Sequence, residues 1–103
     1  MIGRIGKMIK HIVCFKMKDS STVDKAVEIL KSMEGKVPQI IEIEVGKDFL
    51  HSARSYDIIL QVKLKDTASL EAYQSDDYHC SVVKEFMHAN VEKSVAVDYE
   101  ILK

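Results

Sequence analysis

The chain has 103 residues, of which 47% are apolar and 30% charged. That fits one globular domain and excludes a disordered chain. Fifteen Lys and Arg stand against sixteen Asp and Glu, which excludes a dedicated nucleic-acid or anionic-membrane surface, since either needs a positive excess on one face.

No apolar run approaches the ~18 residues of a membrane span. The two cysteines, Cys14 and Cys80, form no CxxC pair and are too few for a disulfide framework. We expect reduced thiols in a cytoplasmic protein. The opening "MIGRIGKM" is too short and polar for a signal peptide. Residues 1–7 read as an upstream start or a cloning remnant, and residues 8–103 as a single domain.

"IKHIVCFKMK" alternates, with Ile9, His11, Val13, Phe15 and Met17 on one face and Lys10, Lys16 and Lys18 on the other. This period of two predicts a strand. A helix follows, with Ser21 as its N-cap and Asp24 three residues on. Val23, Val27, Leu30 and Met33 recur at helical spacing, Gly35 suits a left-handed cap, and Pro38 lies beyond.

Ile41, Ile43 and Val45 alternate with Glu42 and Glu44 as a second strand. Gly46 to Ser55 reads as a hairpin loop. A third strand turns Tyr56, Ile58, Leu60, Val62 and Leu64 inward. Asp66 caps a short helix from Thr67 to Gln74, and Ser75 caps another from Asp76 to about Glu92. "SVAVDYEIL" closes the chain as a fourth strand, with Val95, Val97, Tyr99 and Ile101 on one face.

The order β-α-β-β-α-α-β predicts an α+β, ferredoxin-like protomer: a four-stranded antiparallel sheet with helices over one face. On this pattern the other face carries Ile12, Cys14, Ile59, Gln61, Ala96 and Asp98. A second copy packed sheet against sheet would cover that face, so we expect a homodimer. A solvated face with scattered apolar residues is the plainer alternative.

Three polar side chains fall on apolar faces. His11 shares a strand face with Val13, Phe15 and Met17. His79 shares a helix stripe with Val82, Val83 and Phe86. Tyr73 lies three residues after Leu70. Each alone reads as a satisfied core group. Converging in the layer between sheet and helices, they read as a pocket for a small apolar ligand, with His11, Tyr73 and His79 as the candidate catalytic set. Asp76 and Asp77 suit the positive end of a helix dipole. A metal set of Asp76, Asp77 and His79 is the weaker reading, and no metal or cofactor is expected. His51 and His88 read as surface histidines.

"IKHIVCFKMKD", "VPQIIEIEVGKDF", "SYDIILQVKLKDTASLEAYQSDDYH" and "VAVDYE", in this order and spacing, resemble the stress-responsive dimeric α/β-barrel (Dabb) domain from Met8 to Ile101. The resemblance implies a ferredoxin-like protomer and a dimeric α/β barrel formed from two sheets. Many members have no known activity. One plant branch, similar to olivetolic acid cyclase, closes polyketide chains by aldol chemistry, and its residue set implies roles for His11, Tyr73 and His79. Its third-strand histidine is replaced here by Ile58, and its His-Pro-x-His turn reads Asp76-Asp77-Tyr78-His79. The leading expectation is therefore a stress-responsive homodimer that binds a small apolar ligand. The alternatives are a small His/Tyr proton-transfer enzyme and, by fold analogy, a monooxygenase-like barrel.

Overall fold

Period-two patterning gives strands wherever it was read, and their pairing builds one antiparallel sheet. The computed structural model describes residues 7–102; the expectation for residues 1–7 lies, apart from Lys7, outside them. Strands β1 (Ile9–Met17), β2 (Glu42–Lys47), β3 (Ile58–Leu64) and β4 (Val91–Glu100) lie in the order β2-β3-β1-β4. Helix α1 (Val23–Lys31) follows β1. Helix α2 (Thr67–Ser75), a π-helical turn (His79–Lys84) and α3 (Glu85–Asn90) follow β3. The expected α+β, ferredoxin-like protomer is the fold observed.

In β3, Ile58, Leu60, Val62 and Leu64 are all buried, as their alternation requires. They pack with Ile9, Met17, Ala26, Leu30, Met33, Val37, Tyr73, Val83 and Met87 in one core between sheet and helices. Burying a side chain of this size contributes roughly 1.5–3 kcal/mol. Gly35 takes φ +82 just past α1, and the N–H of Val37 donates to Met33 O at 3.0 Å, closing the turn.

Several local details depart from expectation. Asp19, not Ser21, is the first cap: its carboxylate accepts from Ser21 N and starts a 3₁₀ turn (Ser20–Thr22) ahead of α1. A carboxylate two residues earlier reaches that donor, and Ser21 supplies the N–H instead. Asp66 caps α2 as expected, accepting from Ser69 N at 2.8 Å. Asp76, not Ser75, caps the next helical segment, because its extended backbone lets Oδ1 accept from His79 N at 3.1 Å. Ile41 and Tyr56 lie outside the strands, and Ile41 is exposed. The helix ends at Asn90, so β4 starts at Val91 rather than Ser94.

The largest departure is the orientation of β4. Its register pairs His11 with Asp98, Ile12 with Val97, Val13 with Ala96 and Cys14 with Val95. Directly paired residues share a sheet face. Ala96 and Asp98 therefore lie on the inner, helix-side face, and Val95, Val97 and Tyr99 on the outer face. The expected assignment is reversed. A register shift between Lys16 and Met17, opposite Val91, sets this parity. From Glu92 to Glu100 the strand is exposed on its inner side too, so that side offers an apolar stripe little cover. Val95, Val97 and Tyr99 are 52%, 61% and 46% exposed in the single chain.

Candidate active site

His11, Tyr73 and His79 come together as expected, and the structure adds a fourth member, Asp98. His11 is carried inward by the alternation of β1 and buried. Its Nδ1–H donates to Asp98 Oδ1, a direct side-chain contact across the β1–β4 ladder. His79 starts the π-helical turn. Its Nδ1–H donates to the backbone carbonyl of Tyr73 at 2.9 Å, while Asp76 caps its amide. A π-helical turn recurs at functional sites because it re-aims side chains at little length cost. Here the inward stripe runs His79, Val83, Met87, whereas Val82, expected on that stripe, is exposed. The wider turn rotates Val82 off the core face.

Tyr73, fully buried from α2, lies between the two imidazoles. Its ring stacks on His79 with centroids 4.4 Å apart, and meets His11 edge-on at 5.3 Å. Among the described residues its hydroxyl donates to Met33 Sδ, at 3.8 Å. Burial, reinforced by the nearby Asp98 charge, pushes the phenol well above its ordinary value, so it stays protonated. Burial likewise pulls His79 below the usual histidine range, only partly opposed by its bond to the Tyr73 carbonyl. His79 is thus a neutral imidazole at neutral pH, with its proton held on Nδ1.

That arrangement leaves Nε2 of both histidines as acceptors. Among the described residues, Gln39 Oε1 is the one buried side-chain oxygen or nitrogen with no partner. Among the described residues no hydrogen bond reaches either Nε2, and both imidazoles border one opening. The opening is a cleft of about 280 Å³ lined by both histidines, Tyr73, and the apolar Val13, Phe15, Leu60 and Met87. That volume is near the lower end of the ~300–1,000 Å³ typical of small-molecule pockets. Lys84 also lines it, its ammonium donating to Gln74 O at 3.1 Å. His88, exposed as expected, lies at this edge too, whereas His51 is exposed on the β2–β3 loop.

Chemically, this cleft sets two imidazole bases among apolar side chains, with Gln74, Lys84 and Ser94 as further polar lining. His79 Nε2 can take a proton, and the resulting imidazolium keeps its Tyr73 carbonyl bond. His11, oriented by Asp98, resembles the carboxylate–imidazole pairs that fix one tautomer. Among the described residues no group of three or more His, Cys, Asp or Glu side chains is placed to hold a metal ion, so Asp76, Asp77 and His79 form no such set. Asp98 was missed in the sequence because its strand was given the wrong parity.

The family model of the stress responsive A/B barrel domain, Dabb, matches residues 9–101. No curated protein matches the chain. Among solved structures, a dimeric ferredoxin-like protein of unknown function from Thermobifida fusca superposes with a TM-score of 0.81 at 21% identity, covering 98% of this chain and 97% of that one. A second dimeric protein of unknown function, from Bacteroides fragilis, gives 0.80 at 23%, covering 95% and 100%. The hydroxynitrile lyase of Passiflora edulis gives 0.79 at 19%, covering 95% and 96%. At these identities the likenesses establish the fold alone. Among the described residues no helix is long and apolar enough to cross a membrane.

Proposed function

The chain belongs to the stress responsive A/B barrel domain family, and we propose that it is a homodimer that takes a small, largely apolar carbonyl compound into the cleft and moves a proton on it. His79 is the base, acting through Nε2. His11, held by Asp98, presents a second acceptor to the ligand's polar end, and Tyr73 orients both rings. The observation that carries this reading is that both imidazoles line one largely apolar cleft while both Nδ1 atoms are committed elsewhere. A base kept neutral by burial suits proton abstraction near pH 7. The dimer is supported by the open apolar outer face and by similar structures described as dimeric. That this fold also serves a hydroxynitrile lyase is consistent with chemistry in it.

Binding without turnover is the second reading. It is favoured by donors already committed within the chain: the Tyr73 hydroxyl is spent on a thioether and the Lys84 ammonium donates to Gln74 O, which weakens what the cleft offers a developing oxyanion. Proton–deuterium exchange at the α-carbon of 4-phenylbutan-2-one in D₂O, followed by NMR, separates the two. The wild-type protein should speed exchange, and His79→Gln should lower that acceleration by about 100-fold or more. Equal rates in the two proteins would remove His79 as the base. Saturable ketone binding with no acceleration would leave the binding reading.

A further inference from the structure

Strand β4 carries Asp98, the partner of His11, and is held by its ladder to β1 while its side chains find little cover. It is an edge strand, paired only with β1. From Glu92 to Glu100 every residue is exposed in the single chain, on both faces. A strand with a solvated ladder and few buried side chains opens at low free energy. Asp98 nevertheless sits in the middle of this strand and supplies the contact that fixes His11. Its neighbours Val97 and Tyr99 point the other way, into the open apolar face with Ile12, Cys14 and Ile59.

We infer that the site is incomplete in a lone chain: a second copy covering Val97 and Tyr99 holds β4 in register, and through it keeps Asp98 on His11. The inference rests on the homodimer reading above. The occupant is a second copy because the face is self-complementary. Its apolar half lies on β1, β3 and β4, while its charged part carries Lys10 and Lys63 beside Glu42 and Glu44, so a two-fold related copy meets both signs with both signs.

The consequence reaches the cleft through the imidazole tautomer. With Asp98 in place, the His11 proton stays on Nδ1 and the ligand meets an acceptor. With β4 loosened, that proton is free to move to Nε2, and the same position becomes a donor. Assembly thereby sets which hydrogen-bonding group His11 offers. Asp98 acts as a positioning residue, through His11.

The test uses the full chain and Val97→Arg, a change on the outer face. Three quantities are read: sedimentation, the His11 tautomer by ¹⁵N NMR, and amide exchange of residues 94–100. The wild type should sediment as a dimer with a single Nδ1–H tautomer at His11. Val97→Arg should be a folded monomer with two His11 tautomers in exchange and β4 amides exchanging at least 100-fold faster. A folded Val97→Arg monomer that keeps the single tautomer and the β4 protection overturns the inference alone. A wild type that sediments as a monomer at tens of micromolar overturns the dimer reading as well. A Val97→Arg that stays dimeric moves the interface off this face and also overturns the inference. If Val97→Arg fails to fold, amide exchange of the wild type by mass spectrometry at micromolar and nanomolar concentrations decides. β4 protection should be lost on dilution, and protection independent of concentration refutes the inference.

Discussion

Replacing Tyr73 by Phe should leave the protein as stable as before, or make it more stable, despite complete burial of the side chain. Desolvating a hydroxyl without a good partner costs about 1–3 kcal/mol. The partner here is Met33 Sδ at 3.8 Å, a weak acceptor that offsets only part of this. Phenylalanine keeps the stack on His79 and the edge contact with His11 and opens no cavity of consequence. The phenol is un-ionised, so its removal deletes no charge. The expected change is therefore between zero and about +1 kcal/mol of stability, and each kcal/mol is worth roughly 4–8 °C in Tm at this size. Urea unfolding at fixed protein concentration reads it as a raised midpoint at unchanged slope. Ketone affinity, by contrast, should fall up to about tenfold if the hydroxyl turns to the ligand, the equivalent of ~1.4 kcal/mol. A destabilisation beyond about 1.5 kcal/mol would refute the reasoning, because the hydroxyl would then have a strong partner in the folded chain.

Stability should fall on acidification below about pH 6.5, the ordinary histidine value. His79 is held below that range by burial, so in this window the unfolded chain binds a proton that the folded chain resists. Stability consequently rises with pH from the lowered folded value up to about 6.5 and is level above it. Urea midpoints from pH 5 to 8 should show that slope in the wild type and a smaller one in His79→Gln; parallel profiles would count against it. Gly35→Ala should cost about 1–2 kcal/mol, because an added Cβ meets nothing within 4 Å and only the positive φ is penalised. Gly35→Asn should cost less. Thermal melts of the two variants check the order, and equal Tm values for Gly35→Ala and the wild type would refute it.

Much of this fold is legible because local signals agree with it. β3 alternates cleanly and is buried as it alternates. Asp66 caps α2, and Gly35 turns the chain after α1. The convergence of His11, Tyr73 and His79 follows from the same periodicities, since each lies on a stripe whose other members are core. Caps are harder, because Ser21 competes with Asp19 and Ser75 with Asp76, and side-chain reach decides between neighbours. The π-helical turn has no sequence signature, so the placement of Val82 could not be read.

The reversal of β4 shows a different limit. A stripe of Val95, Val97 and Tyr99 says that the stripe is to be buried, not what buries it. With helices known to follow β1 and β3, the inward assignment is the default, yet residues 92–100 stay exposed on the inner side as well. Parity along the strand is fixed by the register shift opposite Met17, which its own residues do not encode. One clue was present. Two histidines and a tyrosine turned inward need acceptors, because an unpaired buried polar group costs ~1–3 kcal/mol. Under the inward assignment of Val95, Val97 and Tyr99, the inner face of β4 carries no carboxylate for His11. Turning β4 over satisfies both demands at once: Asp98 meets His11, and the apolar stripe meets whatever covers the outer face. A buried histidine without an acceptor is therefore evidence about the strand next to it.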